Sequence, residues 1–159
     1  MKQRPLTELL AEHPFTADLT DAQRQELANL AMIKVYEPDE FLIQEGRPAT
    51  AFFLIVDGLV AIELFVPGRG ARRLQTVEAG SALGWSWILA PNRWEFDACA
   101  LERTLAIVVD ANRLRELCDR DCCLGLHLMR KLLFVVAERL KAARIQLLDV
   151  YGPPREARQ

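Results

Sequence analysis

Phe41-Leu42-Ile43-Gln44-Glu45-Gly46-Arg47-Pro48-Ala49, followed by Phe52-Phe53-Leu54-Ile55-Val56-Asp57-Gly58-Leu59-Val60, is the stretch that decides how this chain folds. Each half is an apolar, aromatic run of strand length that closes on a glycine-bearing turn. Asp57-Gly58 separates two apolar runs by two residues, the pattern of a type I′ hairpin, whose central residues need positive φ. Pro67-Gly68-Arg69-Gly70 and Glu45-Gly46-Arg47-Pro48 are turns of the same kind. Outward from here the same texture holds from residue 32 to 109. Ile33–Tyr36, Phe41–Gln44, Phe52–Val56, Val60–Phe65, Arg72–Val77, Phe96–Leu101 and Leu105–Val109 all read as strands. Short strands roughly 8–12 residues apart, with no helical crossover, predict a mainly antiparallel sandwich or roll.

Helical patterns flank the β region on both sides. Residues 5–31 read as two short helices broken at His13-Pro14-Phe15, because a residue before proline avoids αR. Thr20 and Asp21 offer an N-cap for the second, with Leu19, Leu27, Leu30 and Ala31 on one face. After the strands, Asp110 caps a helix over 111–118. Asp121 then starts a long helix to about Val150, stopped by Gly152-Pro153-Pro154, with a polar tail over 151–159. Along it Cys122, Leu126, Met129, Leu133, Val136, Leu140, Ala143, Leu147 and Val150 alternate in steps of four and three. That spacing is a coiled-coil seam, and it predicts a homodimer through Met129, Leu133, Val136, Leu140, Ala143 and Leu147. Leu124, Leu128, Leu132 and Val135 form a second stripe that packs on the β body. Both stripes burying against the same body is the competing reading.

The 159 residues suit one domain over 1–150, with helices at 5–31, strands at 32–109 and helices at 110–150. A net charge of −2 and a pI near 5.8 argue against a sequence-independent nucleic-acid surface. No apolar run reaches the ~20 residues of a membrane span, and the start lacks the apolar stretch of a signal peptide, so the expected compartment is the cytoplasm. Cys99, Cys118, Cys122 and Cys123 match no metal-ligand spacing and are expected as buried, reduced thiols, with no metal bound. With only His13 and His127, and no G-x-S-x-G, Walker A or paired C-x-x-C motif, nothing supports an enzyme or a cofactor.

All three tryptophans fall in Gly80-Ser81-Ala82-Leu83-Gly84-Trp85-Ser86-Trp87-Ile88-Leu89-Ala90-Pro91-Asn92-Arg93-Trp94. Glycines let a backbone approach a ligand closely, and indoles give flat apolar area with one donor each. Gly84, Trp85, Ser86, Trp87, Arg93, Trp94, Glu95 and Asp97 are therefore the candidate ligand-binding residues.

The combination resembles the cyclic nucleotide-binding domain of the CRP/FNR family. The carrying phrases are His13-Pro14-Phe15 with Leu19, Phe41 to Ala49, Phe52 to Val60, Glu78-Ala79-Gly80-Ser81-Ala82-Leu83-Gly84, and Glu138-Arg139-Leu140. The resemblance implies a β-roll of jelly-roll (double-stranded β-helix) type with N-terminal helices and a C-terminal dimerisation helix. It also implies a phosphate-binding cassette after Gly80. There the family places a glutamate after the second glycine, for the ribose, and about ten residues later an arginine on the cyclic phosphate, followed by a small residue and alanine. Here Trp85 follows Gly84, Trp94 or Glu95 stands at the arginine position, and Arg93 is one or two positions off register. Losing these charge-assisted bonds argues against tight cyclic nucleotide binding. Residual anion affinity is expected from Ser86, Arg93 and N–H groups at a helix start after Gly84. The family's helix-turn-helix needs ~60 or more further residues, so no direct DNA binding is expected.

The expected function is a non-enzymatic regulatory or sensor protein that binds a non-standard small ligand and signals through the dimer helix to a protein partner. The alternative is a ligand-independent interaction module whose nucleotide pocket is filled by its own tryptophans.

Overall fold

Two short helices lead in, α1 (Leu6–Glu12) and α2 (Asp21–Ala28). The computed structural model describes residues 4–151. Helix α1 ends at His13, the residue before proline. Helix α2 starts at a capping box: Gln23 N–H donates to the Thr20 hydroxyl (3.1 Å) and Thr20 N–H donates to Gln23 Oε1 (3.0 Å).

Eight strands follow: β1 (Ala31–Tyr36), β2 (Phe41–Ile43), β3 (Ala51–Asp57), β4 (Leu59–Val66), β5 (Gly70–Glu78), β6 (Ala82–Leu83), β7 (Asp97–Ala100) and β8 (Thr104–Asp110). They form two four-stranded sheets, ordered β1-β8-β3-β6 and β2-β7-β4-β5. Every pairing is antiparallel. The core lies between them on Ile55, Val60, Ala98 and Ala106, all fully buried, while Leu54 and Ile107 are buried on the outer face of their sheet. The flanking helices add a second buried layer. Phe52 on β3 meets Phe15 of the lead-in edge-on, with ring centroids 5.3 Å apart.

Two turns differ from their sequence reading: Glu45-Gly46-Arg47-Pro48 joins β2 to β3 and Asp57-Gly58 joins β3 to β4, and in each case the two strands lie in different sheets. Pro67-Gly68-Arg69 joins β4 and β5 as paired neighbours. Asp57-Gly58 makes no hairpin, because β3 pairs with β6 and β8 while β4 pairs with β5 and β7. It is the corner where the chain leaves one sheet for the other. Gly58 has φ +99°, and a Cβ there would lie 2.7 Å from Thr104 Cα and 2.8 Å from the Arg103 carbonyl oxygen. A positive φ next to a close backbone crossing gives the same local sequence signature as a tight hairpin.

After β8 the chain is helical: α3 (Ala111–Arg120) and α4 (Cys122–Tyr151). Asp110 accepts from Arg113 N–H (2.9 Å) and Asp121 from Leu124 N–H (3.0 Å), so each helix starts at a carboxylate. Leu124, Leu128 and Leu132 of α4 are buried on the body. The stop at Gly152-Pro153-Pro154 and the rest of the tail lie outside the described residues.

His13 joins the lead-in to the roll. Its Nε2–H donates to the Ile55 carbonyl (3.0 Å), and its Nδ1 accepts from Phe15 N–H (3.1 Å). Burial holds the imidazole below the ordinary histidine range, against the opposing pull of its bonds to main-chain carbonyls. The unfolded chain, titrating near pH ~6.5, then takes up a proton that the folded chain resists. The stability from this group is complete above that pH and is lost as pH falls towards the folded-state value. The expected result is a melting temperature that falls between about pH 6.5 and 5, with a shallower slope in His13→Gln. Equal slopes in the two proteins would show that His13 is not the titrating group.

Candidate functional site

The three tryptophans part company on either side of one strand. Successive side chains of a β-strand face opposite ways. Phe52 points outward, where its ring lies 5.9 Å from that of Trp87. Phe53 points inward, 6.3 Å from Trp94. Trp87 and Trp94 are 1% and 6% exposed, so neither offers a surface to a ligand. Trp87 O accepts from Arg115 of α3, and the Asn92 side-chain amide donates to the carbonyls of Ser86 (3.1 Å), Trp87 (2.8 Å) and Leu89 (3.0 Å), closing the loop on itself. Ser86 is buried with it. The backbone after Gly84 makes one turn, Ile88 N–H to the Trp85 carbonyl (3.0 Å), and no helix, so the anion-binding helix start expected there is absent.

The polar members of the set are spent on a neighbouring turn. Arg93 Nη1 donates to the Gly46 carbonyl (2.8 Å), and Asp97 accepts from Glu45 N–H (2.7 Å). Between them Gly46 N–H bonds the Trp94 carbonyl (2.8 Å), Trp94 N–H the Arg47 carbonyl (2.9 Å) and Ala49 N–H the Asn92 carbonyl (2.7 Å). Residues 92–97 are thus zipped to 45–49. Glu95 is exposed. Gly84 has φ +90°, and its missing Cβ leaves room for Trp94, whose Cη2 would otherwise lie 2.8 Å away. The predicted set therefore does not converge on one cavity.

Trp85 alone of the three remains half-buried. Its ring centroid lies 6.0 Å from that of Phe96. Phe96 is buried, two residues before Ala98 of β7. On its other side Trp85 carries Arg139 of α4, with the guanidinium carbon 4.7 Å from the ring centroid. Trp85 thus lies between the Phe96 ring and the Arg139 guanidinium.

Arg139 is the functional candidate that the motif reading missed. It belongs to the body-facing row Leu128, Leu132, Val135, Arg139, Ala142 and Gln146, whose spacing was the available signal. Burial lowers its pKa to about 10, so it is still charged at neutral pH. Nη2 donates to the Ala82 carbonyl (2.7 Å), and Nη1 is buried without a partner. Three further bonds hold α4 to the body: Gln75 to the Arg139 carbonyl (3.3 Å), Gln146 to the Leu74 carbonyl (3.1 Å) and Lys131 to the Pro14 carbonyl (3.4 Å). Between α4, β5 and Gly80–Ala82 lies a groove of about 920 Å³, walled by Phe15, Val77, Ser81, Phe134 and Arg139.

The adjacent face of α4, about 100° round the helix from the body-facing row, is largely uncovered. Leu133, Leu140 and Leu147 are 69%, 50% and 57% exposed, with Met129, Val136 and Ala143 half-buried between them. The thiols differ from expectation: Cys99 and Cys118 are partly buried, whereas Cys122 and Cys123 are exposed on the first turn of α4. Among the described residues no cluster of three or more His, Cys, Asp or Glu side chains could hold a metal ion, and no helix is long and apolar enough to cross a membrane.

Residues 33–121 match the family model described as the cyclic nucleotide-binding domain. A potassium channel protein, by name, of Rhodopseudomonas palustris is 30% identical over 115 residues; these are 71% of this chain and only 27% of that protein. Among solved structures, a cyclic nucleotide-binding domain from Methylobacillus flagellatus KT superposes with a TM-score of 0.77 at 19% identity, over 96% of this chain and 85% of that one. The sensor domain of the transcriptional regulator DNR from Pseudomonas aeruginosa superposes with a TM-score of 0.67 at 22% identity, over 85% and 91%.

Proposed function

The chain belongs to the cyclic nucleotide-binding domain family, and from that premise we propose that it is a non-enzymatic cytoplasmic regulatory module. It takes a non-standard small ligand in the groove under α4 and signals, as a homodimer, through that helix to a protein partner. The observation carrying this reading is that one helix bears both features: a groove of ligand size on the body side and a largely uncovered apolar seam on the adjacent face. Occupancy of the groove acts on the same element that mates with the second copy. Ordinary cyclic nucleotide binding is not part of the reading, because Trp85 stands where the family resemblance places the ribose glutamate and Arg93, the nearest arginine, is bound to the Gly46 carbonyl.

Burial of Trp87 and Trp94, with Arg93 and Asp97 committed to the Glu45–Gly46 turn, favours a second reading, a ligand-independent interaction module. Thermal melts and tryptophan emission with a panel of nucleosides, nucleotides and small metabolites separate the two. A ligand at 100 times its Kd stabilises by about 2.7 kcal/mol, or roughly 5–10 °C for a chain of this size. The expected result is a shift of that order with a non-cyclic ligand and little or none with cyclic AMP. No shift with any member at millimolar concentration would leave the ligand-independent module standing.

A further inference from the structure

We propose that the groove takes a small planar anion, with the charged group of the ligand seated against Arg139. The inference rests on the groove reading above and names the class of ligand. Of the other arginine and lysine side chains lining the groove, Arg130 is exposed to solvent and Lys131 is already paired with Asp18 at 2.7 Å. Arg139 has no carboxylate partner among the described residues, and its Nη1 is buried with no acceptor at all. An unpaired buried donor on a full positive charge is a costly state. A ligand carboxylate or other planar oxyanion arriving at the Ser81–Ala82 end of the groove would relieve it, because both these residues and Arg139 line that end.

The rest of the ligand is set by the walls. Phe15, Val77 and Phe134 offer apolar area with two flat rings, suited to a planar apolar body. Trp85 already covers one side of the guanidinium, so an incoming anion meets it from the groove side. The forked, planar donor set of arginine matches an oxyanion better than a lysine would.

The probes are 2-naphthoate and its neutral counterpart 2-naphthylmethanol, followed by melting temperature and tryptophan emission on the full chain, its Arg139→Gln and its Arg139→Lys variants. Naphthoate is expected to stabilise the wild type and perturb its emission. It should bind at least about tenfold more tightly than naphthylmethanol and tenfold more tightly than to Arg139→Gln, with Arg139→Lys in between. The comparison of the two compounds on the wild type needs no variant to fold. Equal binding of both, or naphthoate binding to Arg139→Gln within about twofold of wild type, would overturn the anion inference and leave the groove reading intact. Binding of other panel members but not naphthoate would do the same. Silence from every compound would remove the groove reading as well.

Discussion

Gly58→Ala is expected to lower the melting temperature by roughly 10 °C or more, or to leave little folded chain. Two effects add at this corner. An L-residue at φ +99° is strained by about 1–3 kcal/mol. Its Cβ would also lie 2.7 Å from Thr104 Cα and 2.8 Å from the Arg103 carbonyl, both main-chain atoms that cannot rotate aside. Overpacking of that kind adds about 1–3 kcal/mol. Gly46 is the internal control: its φ is +80°, yet nothing lies within 4 Å of the added carbon. Gly46→Ala should therefore show only the strain of the left-handed region, about 1–2 kcal/mol. Melting curves of the two variants side by side decide the matter. Equal losses would mean that the crossing of the chain beside Thr104 contributes nothing.

Leu140→Glu is expected to abolish a homodimer while leaving the single chain folded. Leu140 is half exposed on an isolated chain, so the change removes no core packing. In the dimer it would take two carboxylates into the seam and remove two leucines from it. At about 1.5–3 kcal/mol per leucine, with the desolvation of the charges added, the Kd should rise at least about a thousandfold. Sedimentation at micromolar concentration should give a dimer for the wild type and a monomer for the variant, with unchanged circular dichroism. A dimeric Leu140→Glu, or a monomeric wild type, would end the role assigned to the seam.

The strands, helix caps and two faces of α4 were legible in the sequence because each depends on local periodicity or a capping side chain. Seven of the strands lie where alternation and turn residues put them, and only the two-residue β6 is too short to carry a pattern. What a local pattern cannot distinguish is which partner a strand takes. Asp57-Gly58 has the residues of a hairpin, yet β3 pairs with β6 and β8 while β4 pairs with β5 and β7, never with each other. The tryptophans fail as a group for a related reason. Nearness in sequence made them one site, whereas Phe52 and Phe53, adjacent and on opposite faces, draw Trp87 and Trp94 to opposite sides of β3. Arg139 was overlooked because Glu138-Arg139-Leu140 was read as a mark of the long helix. Its position on the body-facing row is what matters.

The tethers of α4 to the roll have an evolutionary implication. Lys131 reaches the lead-in and pairs with the Asp18 side chain, whereas Arg139 and Gln146 end on the main-chain carbonyls of Ala82 and Leu74, and Gln75 ends on the carbonyl of Arg139 itself. Every residue type supplies such a carbonyl. The acceptor residues can drift without unfastening the helix, so the pocket's chemistry and the helix's anchorage are separately mutable. Trp85 shows how far one can change while the other holds.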